Sequence, residues 1–160
     1  MKRLFLIAAL AISSARFAQS TIKEDIDVIQ AEYGKTKKEL VSTHLNLQGA
    51  QATAFWKVYD AYEGERKKLG EKRLRLINEY VNHLDSLTDA KADALVKATI
   101  QNNIAYENLY TKYYGLTKKA IGSVQAAKFL QLEYALQTAI KAETQDAIPF
   151  IGEIDHSKKQ

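Results

Sequence analysis

The sequence predicts an all-α protein of four helices arranged around a long helical hairpin. Three observations carry this. There is one Pro in 160 residues, and Pro is the residue a helix interior tolerates least. Seven Gly are too few for the dense turns of a β-sandwich or barrel. Apolar residues recur at i, i+3, i+4 and i+7 through most of residues 49–146, the period of a helix with one buried face.

Composition also narrows the chemistry. With no Cys, a disulfide framework, a thiolate zinc site, an iron–sulfur cluster, c-type haem attachment and a Cys nucleophile are all excluded. Neither GxxxxGK[ST] nor GxGxxG occurs, so the P-loop and dinucleotide fingerprints are absent.

Residues 1–20 read as a signal peptide. Lys2 and Arg3 form a basic start, and Leu4 to Ile12 form a short apolar run. Ala18-Gln19-Ser20 and Ser13-Ser14-Ala15 both fit the small-x-small cleavage pattern, leaving two candidate sites. Cleavage after residue 20 removes Lys2, Arg3 and Arg16 and no acid, so the net charge falls from +4 to +1. That removes support for a nucleic-acid partner. No later run is apolar for the roughly 18 residues a membrane span needs. The mature chain is expected to be soluble and, in a Gram-negative cell, periplasmic.

Residues 21–146 are expected to form one helical domain. Thr21-Ile22-Lys23-Glu24 has the T-x-x-E form of a capping box. A first helix is expected over 21–41, with Ile22, Ile26, Ile29 and Tyr33 on one face. Leu45-Asn46-Leu47 breaks the pattern.

The second helix is expected over 49–84. Phe55, Tyr62, Leu69 and Leu76 alternate with Tyr59, Arg66, Arg73 and Tyr80 in a 4-3 coiled-coil spacing. Gly64 and Gly70 each cost about 1 kcal/mol against Ala in a helix interior. They fit either a solvated face or a close helix–helix approach.

Ser86-Leu87-Thr88-Asp89 reads as a turn and N-cap, opening a third helix over 89–120. Leu95, Ala98, Asn102, Ala105, Leu109 and Leu116 make one stripe, and Tyr106, Tyr110, Tyr113 and Tyr114 a second. Gly122-Ser123 reads as a stop and a new cap. The fourth helix is expected over 124–146, with Phe129, Leu132, Leu136 and Ile140 inward. Pro149 ends it, and 147–160 is expected to be a weakly structured tail.

A helix of about 36 residues is about 54 Å long. A compact domain of this size is only roughly 37 Å across. The molecule is therefore expected to be elongated and to pair with a second copy.

The helix starts share a pattern. Leu47-Gln48-Gly49-Ala50-Gln51 precedes Phe55 and Trp56, and Leu87-Thr88-Asp89-Ala90-Lys91 precedes Ala94 and Leu95. Both approach L-T-x-x-Q, with Leu47 and Leu87 as anchors, Thr88 as N-cap and Gln51 as the residue that bonds back. Gln48 stands where Thr is usual, and Lys91 where Gln is. In these repeats the chain resembles the Spy/CpxP-like family of periplasmic proteins, whose signature is repeated LTxxQ. Leu45 to Tyr62 looks like the family's first repeat, and Val124 to Glu133 like its last helix start.

The resemblance implies a small helical protein forming a cradle-shaped antiparallel homodimer. It implies an ATP-independent chaperone that binds unfolded or non-native proteins, or an adaptor that binds the periplasmic domain of a membrane stress sensor. Either role uses an exposed face mixing cations and amphipathic rings. Arg66, Lys67, Lys68, Lys72, Arg73 and Arg75 crowd one stretch against the single acid Glu71, flanked by Tyr59, Tyr62 and Tyr80. Tyr59, Tyr62, Arg66, Lys67, Arg73 and Tyr80 are therefore the candidate partner-binding residues. Cations steer acidic clients, and Tyr adds contact area at low entropic cost. The plainer alternative is a solvated basic face with the Tyr residues in the core.

Some relatives in that family bind zinc through His-rich segments, but only His44, His83 and His156 occur here. HExxH and the paired E-x-x-H motifs of a di-iron bundle are absent. No nucleophile elbow is present. No catalytic residue, metal or cofactor is expected, and the protein is not expected to be an enzyme.

Overall fold

The computed structural model describes residues 34–151. The signal-peptide segment, the Thr21-Glu24 capping box and residues 152–160 lie outside the described residues. Four α-helices and no strand are found among the described residues: α1 (Lys37–Leu45), α2 (Gly49–His83), α3 (Asp89–Ile121) and α4 (Ser123–Ala147), with a short 3-10 turn at Leu84–Ser86. At 35 and 33 residues, α2 and α3 are each about 50 Å long.

One boundary differs from expectation. The helix that includes residue 41 starts at Lys37, and residues 21–33 of the expected first helix lie outside the described residues. Gly34 has φ +63° and Thr36 is extended, so a fresh helix begins at Lys37 and continues to Leu45. Its capping box is Thr36-Lys37-Lys38-Glu39. The Thr36 hydroxyl accepts from the Glu39 N–H at 3.3 Å, and the Thr36 N–H donates to the Glu39 carboxylate at 2.8 Å. This second T-x-x-E is as plain in the sequence as the one at Thr21.

The other ends follow local chemistry. Asn46 takes the left-handed conformation at φ 47° and closes α1 by donating its N–H to the Ser42 carbonyl. Gln48 sits at the N-cap of α2 but makes no capping bond; its side-chain amide donates to Asn46 Oδ1 instead. Thr88 caps α3, accepting from the Lys91 N–H at 3.3 Å. A single residue, Gly122, separates α3 from α4. Its φ of +84° and ψ of 162° lie in a region that is essentially Gly-only, so the chain reverses there without a loop. Ser123 is the first residue of α4 rather than its cap.

The α2–α3 hairpin is antiparallel along its length. Glu79 pairs with Lys91 near the turn, the Asn102 amide donates to the Leu69 carbonyl, and Glu65 accepts from Lys112 and Tyr113. α4 folds back along α3, placing the Tyr134 ring 4.7 Å from that of Tyr110. α1 packs on α4 through Leu40, Leu132, Leu136 and Ile140.

The core is aromatic and lies at the α1 end. Phe129 meets Phe55 and Tyr62 edge-on at 5.3 and 5.4 Å, and Tyr62 meets Tyr113 at 5.3 Å. Such edge-to-face pairs add about 0.5–1.5 kcal/mol each beyond burial. The two mid-helix glycines part company. Gly70 is buried, and a Cβ there would meet the Tyr106 hydroxyl at 3.5 Å, an ordinary contact, so the position does not require Gly. Gly64 faces open space. Of the stripe that begins at Leu95, Leu95, Asn102 and Leu109 are buried and Leu116 is exposed.

Candidate functional site

Two features stand apart from ordinary helix packing: a buried knot of charges in the middle of the bundle, and a half-open aliphatic groove at the turn end.

The knot joins three helices. Lys37 on α1 donates to Glu63 at 2.5 Å and to Glu133 at 2.8 Å. Arg66 holds Glu63 through Nε at 2.9 Å and through a second nitrogen at 3.2 Å. The Tyr62 hydroxyl donates to Glu133 at 2.5 Å. Two cations and two anions therefore neutralise one another away from water. Glu133 is wholly buried, and its Oε1 has no hydrogen-bond partner among the described residues.

The electrostatics follow from these contacts. Burial alone would raise the Glu63 pKa, but Lys37 and Arg66 outweigh it and hold the carboxyl below its ordinary value. Burial alone would lower the Arg66 pKa, yet the adjacent Glu63 carboxylate keeps it raised. Burial first, then the Glu133 charge, pushes the Tyr62 phenol well above its ordinary value.

The groove lies between α2, α3 and the end of α4 and has a volume of about 420 Å³. Leu76 and Ile77 form one wall, Leu95, Val96 and Ile100 the other. Residues beyond α4 roof it: Tyr80 donates its hydroxyl to the Pro149 carbonyl at 2.8 Å, and Ile148 and Ile151 line the groove. Val96 and Ile100 of the α3 wall and Ile104 beyond it form an exposed row at i, i+4 and i+8 on α3.

The six candidate partner-binding residues divide between these regions. Tyr59, Tyr62 and Arg66 are 4%, 1% and 7% exposed, so they belong to the core, and the expectation that Arg66 reaches solvent is overturned. The reason is its neighbour one helical turn back: with Glu63 in reach, the guanidinium is buried as part of a pair. Lys67 lies on the open surface. Arg73 and Tyr80 line the groove. Of the helix-start residues, Leu47 packs on the core, Leu87 lines the groove, Thr88 caps α3, and Gln51 is exposed.

The exposed α3 row went unread in the sequence. Its signal was there: Val96, Ile100 and Ile104 recur every four residues and fall between the positions of the Leu95, Ala98, Asn102 and Ala105 stripe. Among the described residues, no cluster of three or more His, Asp or Glu side chains is placed to hold a metal ion, and no helix is long and apolar enough to cross a membrane. Comparison with protein-family models, curated proteins and solved structures finds no match to this chain.

Proposed function

We propose that the chain is an exported, Spy/CpxP-like protein that holds non-native polypeptides on a helical surface without ATP. The observation that carries this reading is the row Val96, Ile100 and Ile104, each more than half exposed and continuous with the aliphatic groove. Contiguous exposed apolar surface of this kind marks an interaction site. On α2, the exposed Lys67, Lys68 and Arg75 supply long-range attraction for acidic clients. The signal-peptide pattern, the degenerate helix starts and the helical fold support the family reading.

In this reading the protein is periplasmic and a homodimer, two copies sharing one client-binding face. Lys67, Arg73 and Tyr80 are the candidate residues that remain within a partner's reach.

The test is suppression of aggregation of an unrelated unfolding client at stoichiometric protein. Wild type is expected to suppress it. A V96K/I100K/I104K variant is expected to lose suppression while keeping its helical content. An inert protein that instead captures one membrane sensor's periplasmic domain would replace this reading with the adaptor. Light scattering that finds a monomer at micromolar concentration would overturn the dimer.

A further inference from the structure

α1 fills only half of the seat between α2 and α4. Its Leu45 end packs beside Phe55, and its Lys37 end stops level with Glu63 and Glu133. Traced backward through α1, the chain therefore points toward the turn end where it leaves the described residues at Gly34. Beyond Glu63 the same face of α2 carries on as Gly70, Leu74, Ile77 and Val81, at i+7, i+11, i+14 and i+18, the spacing of a helix-contact stripe.

That stripe is apolar and poorly covered. No residue of α2 from 71 to 83 is buried; Leu74 and Ile77 are half-buried, and Val81 is 43% exposed. The α4 side of the seat is apolar too, with Leu136 and Ile140 beside Leu40. Within residues 67–75 of α2, Lys67, Lys68, Lys72 and Arg75 stand against the single acid Glu71. Residues 21–33 match this surface in length, pattern and charge. As a helix they would run about 20 Å, and they are as many as residues 71–83. Ile22, Ile26, Ile29 and Tyr33 recur at i, i+4, i+7 and i+11. Glu24, Asp25, Asp27 and Glu32 outweigh Lys23, for a net charge of −3.

We propose that residues 21–33, which lie outside the described residues, dock as a helix along this face and fill the empty half of the seat. The segment runs antiparallel to α2, with Ile22, Ile26, Ile29 and Tyr33 against Leu74, Ile77 and Val81, and its acids lie in the field of the basic stretch. Its own chain is the favoured occupant because Gly34 to Thr36 tether it at the mouth of the seat. So short a tether gives an effective concentration of order millimolar, which a separate polypeptide lacks. The face is distinct from the Val96, Ile100 and Ile104 row on α3. The proposal therefore does not depend on the chaperone reading, and either fails without the other.

The chain has no Cys, so a single substitution places a single spin label. Asn78→Cys puts it on the exposed rim of the seat, next to Ile77. Lys97→Cys puts it on the exposed side of α3, turned away from the buried Leu95 and Asn102. In NMR spectra of the purified protein, the Asn78 label is expected to broaden the amide signals of residues 22–29, and the Lys97 label to leave them sharp. Ile26→Asp is expected to remove that broadening. It is also expected to speed tryptic cleavage after Lys23 at least about tenfold, the scale of one buried Ile side chain. Leu74→Asp is expected to do the same from the other side of the contact; if it does not fold, Ile26→Asp, outside the described helices, still decides the matter. The proposal is overturned by absence of broadening from the Asn78 label, by equal broadening from both labels, or by wild-type broadening in Ile26→Asp. It is also overturned if isotope-labelled protein without a spin label is broadened on mixing with spin-labelled protein, which would seat the segment on a second copy.

Discussion

The Tyr62 hydroxyl donates to Oε2 of Glu133 at 2.5 Å, joining α2 to α4 across 71 residues of sequence. The same carboxylate oxygen accepts from Lys37, so one acid holds three helices together. A wholly buried Glu is tolerated only because both donors meet it there.

Glu133→Gln is therefore expected to destabilise the fold by about 3 kcal/mol, the scale for stranding one side of a buried ion pair. Replacing the group as a unit, with K37M, Y62F and E133L combined, is expected to restore most of that loss, since packed apolar side chains substitute well for buried pairs. Urea denaturation of the three proteins (wild type, single and triple variant) measures both. A triple variant no more stable than Glu133→Gln would show that the charges do more than cancel one another.

The knot makes stability fall at low pH. The folded-state pKa of Glu63 is depressed. Its contribution is therefore fully present above the unfolded value of about 4.3 and is lost as pH falls through the lower folded value. At the other limit, Tyr59 and Tyr62 have raised folded-state values. Their contribution is present below the unfolded value of about 10 and lost as pH rises beyond it. Thermal melts between pH 3 and 11 should show a plateau that falls at both edges, and Glu63→Gln should flatten the acid edge.

The caps differ in what they stand to lose. Thr36→Ala and Thr88→Ala each remove a side-chain acceptor and are expected to cost about 1 kcal/mol. Gln48→Thr is expected to be neutral or stabilising, because Gln48 supplies no capping bond and its backbone is already extended. A destabilised Gln48→Thr protein would mean that the Gln48–Asn46 side-chain bond holds the α1–α2 connection.

Gly122 and Gly64 should respond in opposite directions to Ala. At Gly122, whose φ of +84° suits only Gly, the change is expected to cost about 1–3 kcal/mol. At Gly64, in an open stretch of helix, it is expected to stabilise by up to about 1 kcal/mol. Melting temperatures of the two variants decide it.

Sequence periodicity located α2, α3 and α4 to within a residue or two because each carries a long run of inward positions such as Phe55, Leu95 and Phe129. It named Thr88 as a cap because the Thr-Asp pair stands directly before such a run. It failed at Arg66, where the same spacing that marks an inward position also marks a basic surface. Only the partner decides between them, and Glu63 is visible as a partner once the helix is built. Glu133 was illegible for a deeper reason: its donors come from α1 and α2, and no local pattern announces a contact across 96 residues, as that with Lys37 is. The groove was hidden similarly, being made by three helices and a roof that only the Tyr80–Pro149 bond reveals.

The uneven burial along α2 has a mechanical consequence. Its last buried residue is Gly70, so the stretch from 71 to 83 has none, whereas 55 to 66 holds four. On α3 the first buried position is Leu95. Resistance to opening is therefore graded along the long axis. Backbone amides near the Leu84–Ser86 turn can exchange with deuterium through partial openings that leave the aromatic end intact, while those around Tyr59 and Tyr62 exchange only when the whole bundle comes apart. The molecule has one anchored end and one yielding end, and the yielding end is the one that carries the groove.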